Sequence, residues 1–196
     1  MKNFPRRRKK TRQRSQAPIY QLKITLRDSK PPIWRRVQLR GDTNLGTLHD
    51  IIQEVMGWMD YHLHGFQVGG RHYGRPSPMD WEPVTDERKV QLSQVAPVAG
   101  YRFIYTYDFG DDWEHIILVE KILPADPALC YPVCIKGRRA CPPEDCGGVW
   151  GYEDLLKIIR NPKDKGYAEM LEWVGGEFDP ADFGLEETNA ALEKFR

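Results

Sequence analysis

No stretch of this 196-residue chain approaches the roughly 18 consecutive apolar residues that a membrane-spanning helix needs. The charged N-terminus also lacks the apolar segment and small-residue cleavage site of a secretory signal, so the expectation is a cytoplasmic protein without membrane contact. A recognised nucleophile motif, a phosphate-binding glycine loop and a His-Glu-x-x-His helix are all missing. Their absence removes the readily legible routes to acyl transfer, nucleotide hydrolysis and zinc proteolysis. Asp108-Phe109-Gly110 has the form of a kinase magnesium motif, but no glycine-rich loop precedes a lysine strand and there is no His-Arg-Asp loop. Cysteine is scarce, with four residues that all lie between 130 and 146.

What is present suffices for one substantial core: 40% hydrophobic residues, 11% aromatic, and six tryptophans. Charge is divided unevenly. Residues 1 to 16 carry eight Lys or Arg, among them Arg7, Arg8, Lys9 and Lys10, and no acid, whereas elsewhere 21 basic residues face 28 acidic ones. The expected organisation is a basic disordered tail, 1–16, ahead of a single domain, 17–196. The tail is a candidate nucleic-acid contact acting through counterion release.

The densest signal is the stretch 101 to 120. Tyr101, Phe103, Tyr105 and Tyr107 alternate with Arg102, Ile104, Thr106 and Asp108, a period of two that predicts a strand with an aromatic core face. Gly110-Asp111 suits a two-residue hairpin turn. That register sets Asp108 opposite Trp113 and Thr106 opposite His115, which makes Asp108 and His115 diagonal neighbours roughly 5–8 Å apart. A carboxylate could then orient an imidazole, so Asp108, Asp112 and His115 are candidate catalytic residues and Trp113 a candidate binding residue. A plainer reading stands beside it, in which the acids satisfy turn amides and His115 is a hydrogen-bonded sheet residue.

Residues 19 to 26 and 33 to 39 read as paired strands around a Pro-Pro turn. Trp34, Arg36, Gln38 and Arg40 share an outer face, either solvated or part of a binding surface. A core helix follows, expected to start at an N-cap Thr47 with Asp50 three residues on and to close at Gly57. Residues 62 to 68 read as a strand on which His62 and His64 share a face, a spacing that chelates a metal when a third ligand converges; His64 is a candidate binding residue. Residues 74 to 98 read as a long loop offering Trp81. The C-terminal part reads as helices, one of them short and capped by Asp179, that cover one face of the sheet.

The spacing C-x3-C-x6-C-x4-C holds Cys130, Cys134, Cys141 and Cys146 within 17 residues, a candidate zinc site even though the paired C-x2-C knuckles are absent. Pro142-Pro-Glu-Asp-Cys-Gly-Gly148 offers Glu144 and Asp145 either to a site or to the N-terminus of the next helix.

Taken in order, Pro31-Pro-Ile-Trp-Arg-Arg36, Thr47-Leu-His49, Met56-Gly-Trp58, His62-Leu-His-Gly-Phe66, the run from Tyr105 to His115, Pro142 to Gly148, Gly151-Tyr152 and Phe178-Asp-Pro180 form one motif set. It resembles the Ri-plasmid open-reading-frame-three-like family over about residues 18 to 192. The resemblance implies a compact α+β domain of a kind found on plasmids, beside insertion elements and in bacterial and archaeal chromosomes. It brings no activity, substrate or catalytic residue with it. The basic tail lies outside it, and the cysteines are not part of its motif set.

Three functions from different classes follow. One is a non-enzymatic binding or adaptor module associated with mobile elements, its body engaging a protein or ligand and its tail nucleic acid. Another is a metal-dependent hydrolase or nuclease in which Asp108, Asp112 and His115 converge with Glu144, Asp145 and His64 on a cation that activates water. That reading requires the 142–148 loop to fold over the hairpin turn. The third is a zinc-stabilised structural domain. The predicted fold is α+β: a mainly antiparallel sheet of hairpins, one helix after the second strand, and a helical C-terminal layer on one face.

Overall fold

The computed structural model describes residues 17–196; the basic run with Arg7, Arg8, Lys9 and Lys10 lies outside the described residues. Eight strands form one sheet: β1 (Ile19–Leu26), β2 (Trp34–Arg40), β3 (His64–Val68), β4 (Arg71–Gly74), β5 (Val84–Asp86), β6 (Arg102–Tyr107), β7 (Trp113–Leu123) and β8 (Val133–Arg138). Their spatial order is β5-β4-β3-β6-β7-β1-β2-β8, antiparallel except for β4 with β5. Five helices accompany them: α1 (Leu45–Met56), α2 (Leu92–Val95), α3 (Gly148–Ile159), α4 (Tyr167–Trp173) and α5 (Leu185–Ala191). The architecture is α+β, with α1 after the second strand and a helical C-terminal part.

Alternation along the strands decides which face is covered. Leu22, Ile24 and Leu26 of β1, Val37 and Leu39 of β2, Phe66 of β3, Phe103 and Tyr105 of β6, and Ile117 and Val119 of β7 are buried. They share one core with Leu48, Ile51, Ile52 and Val55 of α1 and Tyr152, Leu155 and Leu156 of α3. Each such aliphatic or Phe side chain contributes about 1.5–3 kcal/mol when fully buried. On the other face Lys23, Trp34, Arg36, Ile104, Ile116 and Leu118 are only partly buried.

Several local features differ from expectation. Helix α1 starts earlier, with Asn44 as N-cap: its Oδ1 accepts from Thr47 N at 2.8 Å, so Thr47 is the capped residue and not the cap. The segment 74–98 is not one loop; it holds β5, a 3-10 turn at Glu87–Lys89 and α2. Asp179 caps a turn, its Oδ1 accepting from Ala181 N at 2.8 Å, and the helix begins at Leu185.

The largest difference is in the central hairpin. Five residues, 108 to 112, join β6 to β7, because Asp108 and Asp112 both adopt left-handed backbone (φ 55° and 54°) and Asp112 N bonds to Asp108 O at 2.7 Å. Aspartate tolerates this region by bonding locally; here Asp108 Oδ1 accepts from Gly110 N at 2.9 Å. The register becomes Tyr107 opposite Trp113 and Tyr105 opposite His115. A one-residue slip sends every β7 side chain to the other face. Trp113 and His115 are therefore fully buried core residues, and neither an Asp108–His115 pair nor a surface Trp113 exists. The His115 ring packs 5.2 Å from Trp58 and 5.5 Å from Tyr105, and neither of its nitrogens has a hydrogen-bond partner among the described residues.

Burial pushes His115 down to about 4. An unfolded histidine titrates near 6.5, so between these values the unfolded chain binds the extra proton and stability declines as pH falls; above about 6.5 the group has no effect. The decline by pH 4 amounts to roughly 3 kcal/mol. His115→Leu, close in volume and without an unpaired polar atom, is predicted to cost less than about 1.5 kcal/mol at neutral pH. It should also flatten the acid limb in urea unfolding measured across this range. An acid limb identical to that of the parent would contradict the assignment.

Candidate functional site

The 142–148 loop folds over the hairpin turn. Trp58 Nε1 donates to Pro142 O at 3.0 Å, Met59 N donates to Glu144 Oε2 at 3.2 Å, and the Tyr107 hydroxyl donates to Glu144 Oε1. From the turn side, Asp111 Oδ2 accepts from Gly147 N at 3.1 Å and so satisfies the start of α3. Glu144 and Asp145 do not serve that helix. Gly147 and Gly148 have φ of 87° and 67°, and a Cβ on Gly148 would run into the Asp111 carbonyl oxygen, so the loop reaches the turn only with glycine there.

Tyr107 is the post on which this assembly hangs. Its hydroxyl accepts from Tyr61 N at 3.0 Å, with His62 N at 3.4 Å, while donating to Glu144. Burial first, and Glu144 second, raise its pKa, so it keeps the proton it donates. Because the backbone at 61 and 62 is tied to Tyr107, β3 begins only at His64, and His62 and His64 do not share a strand face.

Instead His62 joins the turn. Its Nδ1 lies 3.7 Å from Asp108 Oδ2 and its Nε2 lies 3.1 Å from Asp145 Oδ1. One donor atom from each of His62, Asp108 and Asp145 lies within 4.8 Å of the others. The Nε2 atom is shielded from solvent yet makes no hydrogen bond, because the nearby carboxylate oxygen sits off the N–H direction. Two donors that share one ion, each about 2.1 Å from it, stand roughly 3.0–3.4 Å apart in this side-by-side manner. Among the described residues Asp108, Asp111, Asp112, Glu144 and Asp145 have no Lys or Arg within ion-pair distance, and His62 is the one basic group that meets two of them. The His62 and Asp145 side chains are 28% and 67% exposed, so the cluster is open to solutes.

A second polar cluster lies deeper. The rings of His49 and His64 stack at 3.4 Å with 6° between planes. The Tyr105 hydroxyl accepts from Gln53 Nε2 at 2.9 Å and donates to His49 Nδ1 at 2.7 Å, which leaves the His49 proton on Nε2, facing Asp60 Oδ1 at 3.0 Å. Burial, and next the neighbouring His64, push His49 down to about 3, so this ring is neutral. His64 Nε2 meets Glu87 Oε2 at 2.9 Å; Glu87 is fully buried, and its Oε1 has only Arg75 Nε at 4.0 Å. His49, Asp60 and His64 also bring donor atoms within 4.8 Å of one another. Their parallel stacking directs the ring lone pairs side by side and not at one point, so this cluster is a hydrogen-bonded network and the outer one the better cation seat.

Of the residues singled out in the sequence, Asp108, Glu144 and Asp145 come together, with Asp112 exposed on the same turn; His64 belongs to the inner network, and Trp113 and His115 to the core. The thiols do not gather. No three of Cys130, Cys134, Cys141 and Cys146 lie within ligand distance among the described residues, since Cys134 is held on the core face of β8 while Cys130 is exposed. Burial pushes Cys146 up to about 12 and raises Cys141 as well, so both are protonated thiols. Sequence reasoning missed His49, Asp60, Glu87 and the role of His62. An imidazole at position 49, amid the apolar stripe of α1, was the one signal that a polar partner lay inside.

A model of the plasmid pRiA4b ORF-3-like protein family matches residues 18–187. The chain is 35% identical over 179 residues to the uncharacterized protein y4hQ of Sinorhizobium fredii, covering 90% of this chain and 92% of that one. It is also similar to the crystal structure of MM3350, a protein of unknown function from Methanosarcina mazei Go1, with a TM-score of 0.79 and 36% identity over 87% of this chain and 97% of that one. Matched along nearly its whole described length, the chain belongs to the plasmid pRiA4b ORF-3-like family.

Proposed function

We propose that the protein is a cation-dependent binding module whose ligand-contacting surface is the hairpin turn with the 142–148 loop. The observation that carries this reading is the docking of that loop, which gathers His62, Asp108 and Asp145 around a shielded ring nitrogen with no hydrogen bond. One imidazole with carboxylates and no thiolate suits Mn²⁺, Zn²⁺ or Fe²⁺ better than copper(I) or a cluster. Three protein donors leave coordination positions for an oxygen of the ligand. Exposed Met59, Tyr61 and Leu63 on the preceding loop and Phe109 on the turn give the rim an apolar contact area suited to recognition.

A second reading, metal-assisted hydrolysis, is favoured by Asp112. Its exposed carboxylate has no protein partner among the described residues and lies on the turn that supplies Asp108, where it could accept a proton from cation-bound water. Manganese-supplemented assays on an unactivated and an activated phosphodiester separate the two readings: turnover lost in both His62→Ala and Asp112→Asn selects hydrolysis.

Calorimetric titration with Mn²⁺ and Zn²⁺ tests the seat itself. The parent protein should bind one equivalent, and His62→Ala or Asp145→Asn should weaken it at least about tenfold, or ~1.4 kcal/mol. Equal affinity in parent and double variant would overturn the proposal. Gly148→Ala retains every ligand but forces the loop off Asp111. It should weaken metal binding comparably and lower stability by about 1–3 kcal/mol, read by thermal unfolding.

A further inference from the structure

The partly buried face of the sheet carries a row of cations that nothing in the folded domain requires. Strand pairing sets Arg102 opposite Leu118, Leu118 opposite Lys23, Lys23 opposite Arg36 and Arg36 opposite Lys136. With neighbouring strands roughly 4.8 Å apart, these five side chains form a line about 19 Å long across β6, β7, β1, β2 and β8. Four of the five are cationic, and like charges set directly opposite destabilise a sheet. Arg36 alone has a carboxylate partner, Glu120, at 2.6 and 2.7 Å; Lys23, Arg102 and Lys136 have none among the described residues.

One step along each strand on the same face lies a second row of different character. Ile104 faces Ile116, Ile116 faces Thr25, and Thr25 faces Trp34. Trp34 has Lys23 Nζ at 5.2 Å and Arg36 Cζ at 5.1 Å from its ring centroid, so the aromatic group adjoins the cationic line directly. A groove lined by Arg36, Arg102, Leu118, Lys121 and Ile135 runs along the same surface. The domain outside residues 1–16 carries an excess of acid, 28 against 21 basic residues, so this concentration of unpaired cations runs against its overall charge. The chain also enters β1 only four residues ahead of Lys23, and residues 1–16 hold eight further cations.

We infer that this sheet face binds single-stranded nucleic acid, its phosphates along the Arg102–Lys23–Arg36–Lys136 row and its bases against Trp34, Ile104 and Ile116. A charged row beside a parallel aromatic and apolar row is the arrangement by which open sheet surfaces hold unpaired strands: the backbone tracks the cations and the bases stack without sequence readout. The surface is separate from the cation seat of the hairpin turn, and neither needs the other.

The test is fluorescence anisotropy of the full chain with a labelled oligothymidylate of about 20 nucleotides, between about 50 and 200 mM salt. Each single-strand phosphate contact contributes about 0.7 to the slope of log affinity against log salt. The triple variant Lys23→Gln, Arg102→Gln, Lys136→Gln should therefore lose roughly 2 from that slope while melting at the parent temperature or above. Trp34→Leu should weaken binding by roughly fivefold to a hundredfold with the slope unchanged. Parent-like affinity and slope in the triple variant would assign any binding to residues 1–16 and overturn the inference. So would competition by polyglutamate as effective as that by unlabelled oligonucleotide at equal charge, which would mark the row as a docking surface for acidic protein.

Discussion

The Tyr107 hydroxyl is the contact on which the site depends. It ends β6 on the core face, and its single oxygen fixes the backbone of residues 61 and 62 and the side chain of Glu144. A phenol that burial keeps protonated is suited to this position, because it can accept from two amides and still donate to a carboxylate. Three segments far apart in sequence are thereby brought to one point: the α1–β3 connection, the hairpin turn and the loop before α3. Asp111 and Gly147 close the other side of the joint. His62, Asp108 and Asp145 meet as a consequence of this junction.

Much of the fold is legible in the residues, and the reason is periodicity. The alternation in β1, β2 and β6 and the helical stripe of α1 each place a contiguous apolar set on one face, and those sets are the core. Periodicity says nothing about the docking of the 142–148 loop, which rests on a tyrosine hydroxyl and two positive-φ glycines acting across more than thirty residues. Register is harder to read. Gly110 invites a two-residue turn, but the left-handed conformations fall on Asp108 and Asp112, where aspartate stabilises itself by local bonds, and the extra turn residues reverse β7. That reversal alone moves His115 and Trp113 from the expected surface into the core. Glu87 is hidden in the charged run 86–89, where three neighbours belong to solvent and only the fourth turns inward.

The two polar clusters show how the same residue types acquire different chemistry. In the inner one, every ring nitrogen seen in a hydrogen bond has a carboxylate or hydroxyl in line with it, and burial holds His49 neutral at about 3. Such a network rigidifies the base of the 57–63 connection, because Gln53 and Asp60 tie that connection to α1 through the Asp60 N to Gln53 Oε1 bond at 3.1 Å. In the outer one, the imidazole lies beside its carboxylates, out of line with them, and solvent reaches Asp145. The inner network thus holds still the segment that delivers His62, and the outer cluster is left with unneutralised carboxylates facing outward. On the far face of the sheet the sign of the charge is reversed, so the domain separates an anionic rim from a cationic surface.

The proposed chemistry of the turn rests on His62, Asp108 and Asp145 seating one divalent cation. Diffraction from crystals soaked in manganese and recorded near the manganese absorption edge addresses this directly. The prediction is a single anomalous peak about 2.0–2.3 Å from a ring nitrogen of His62 and from one carboxylate oxygen each of Asp108 and Asp145. A map with no peak there, while the 142–148 loop remains docked on the turn, would contradict it.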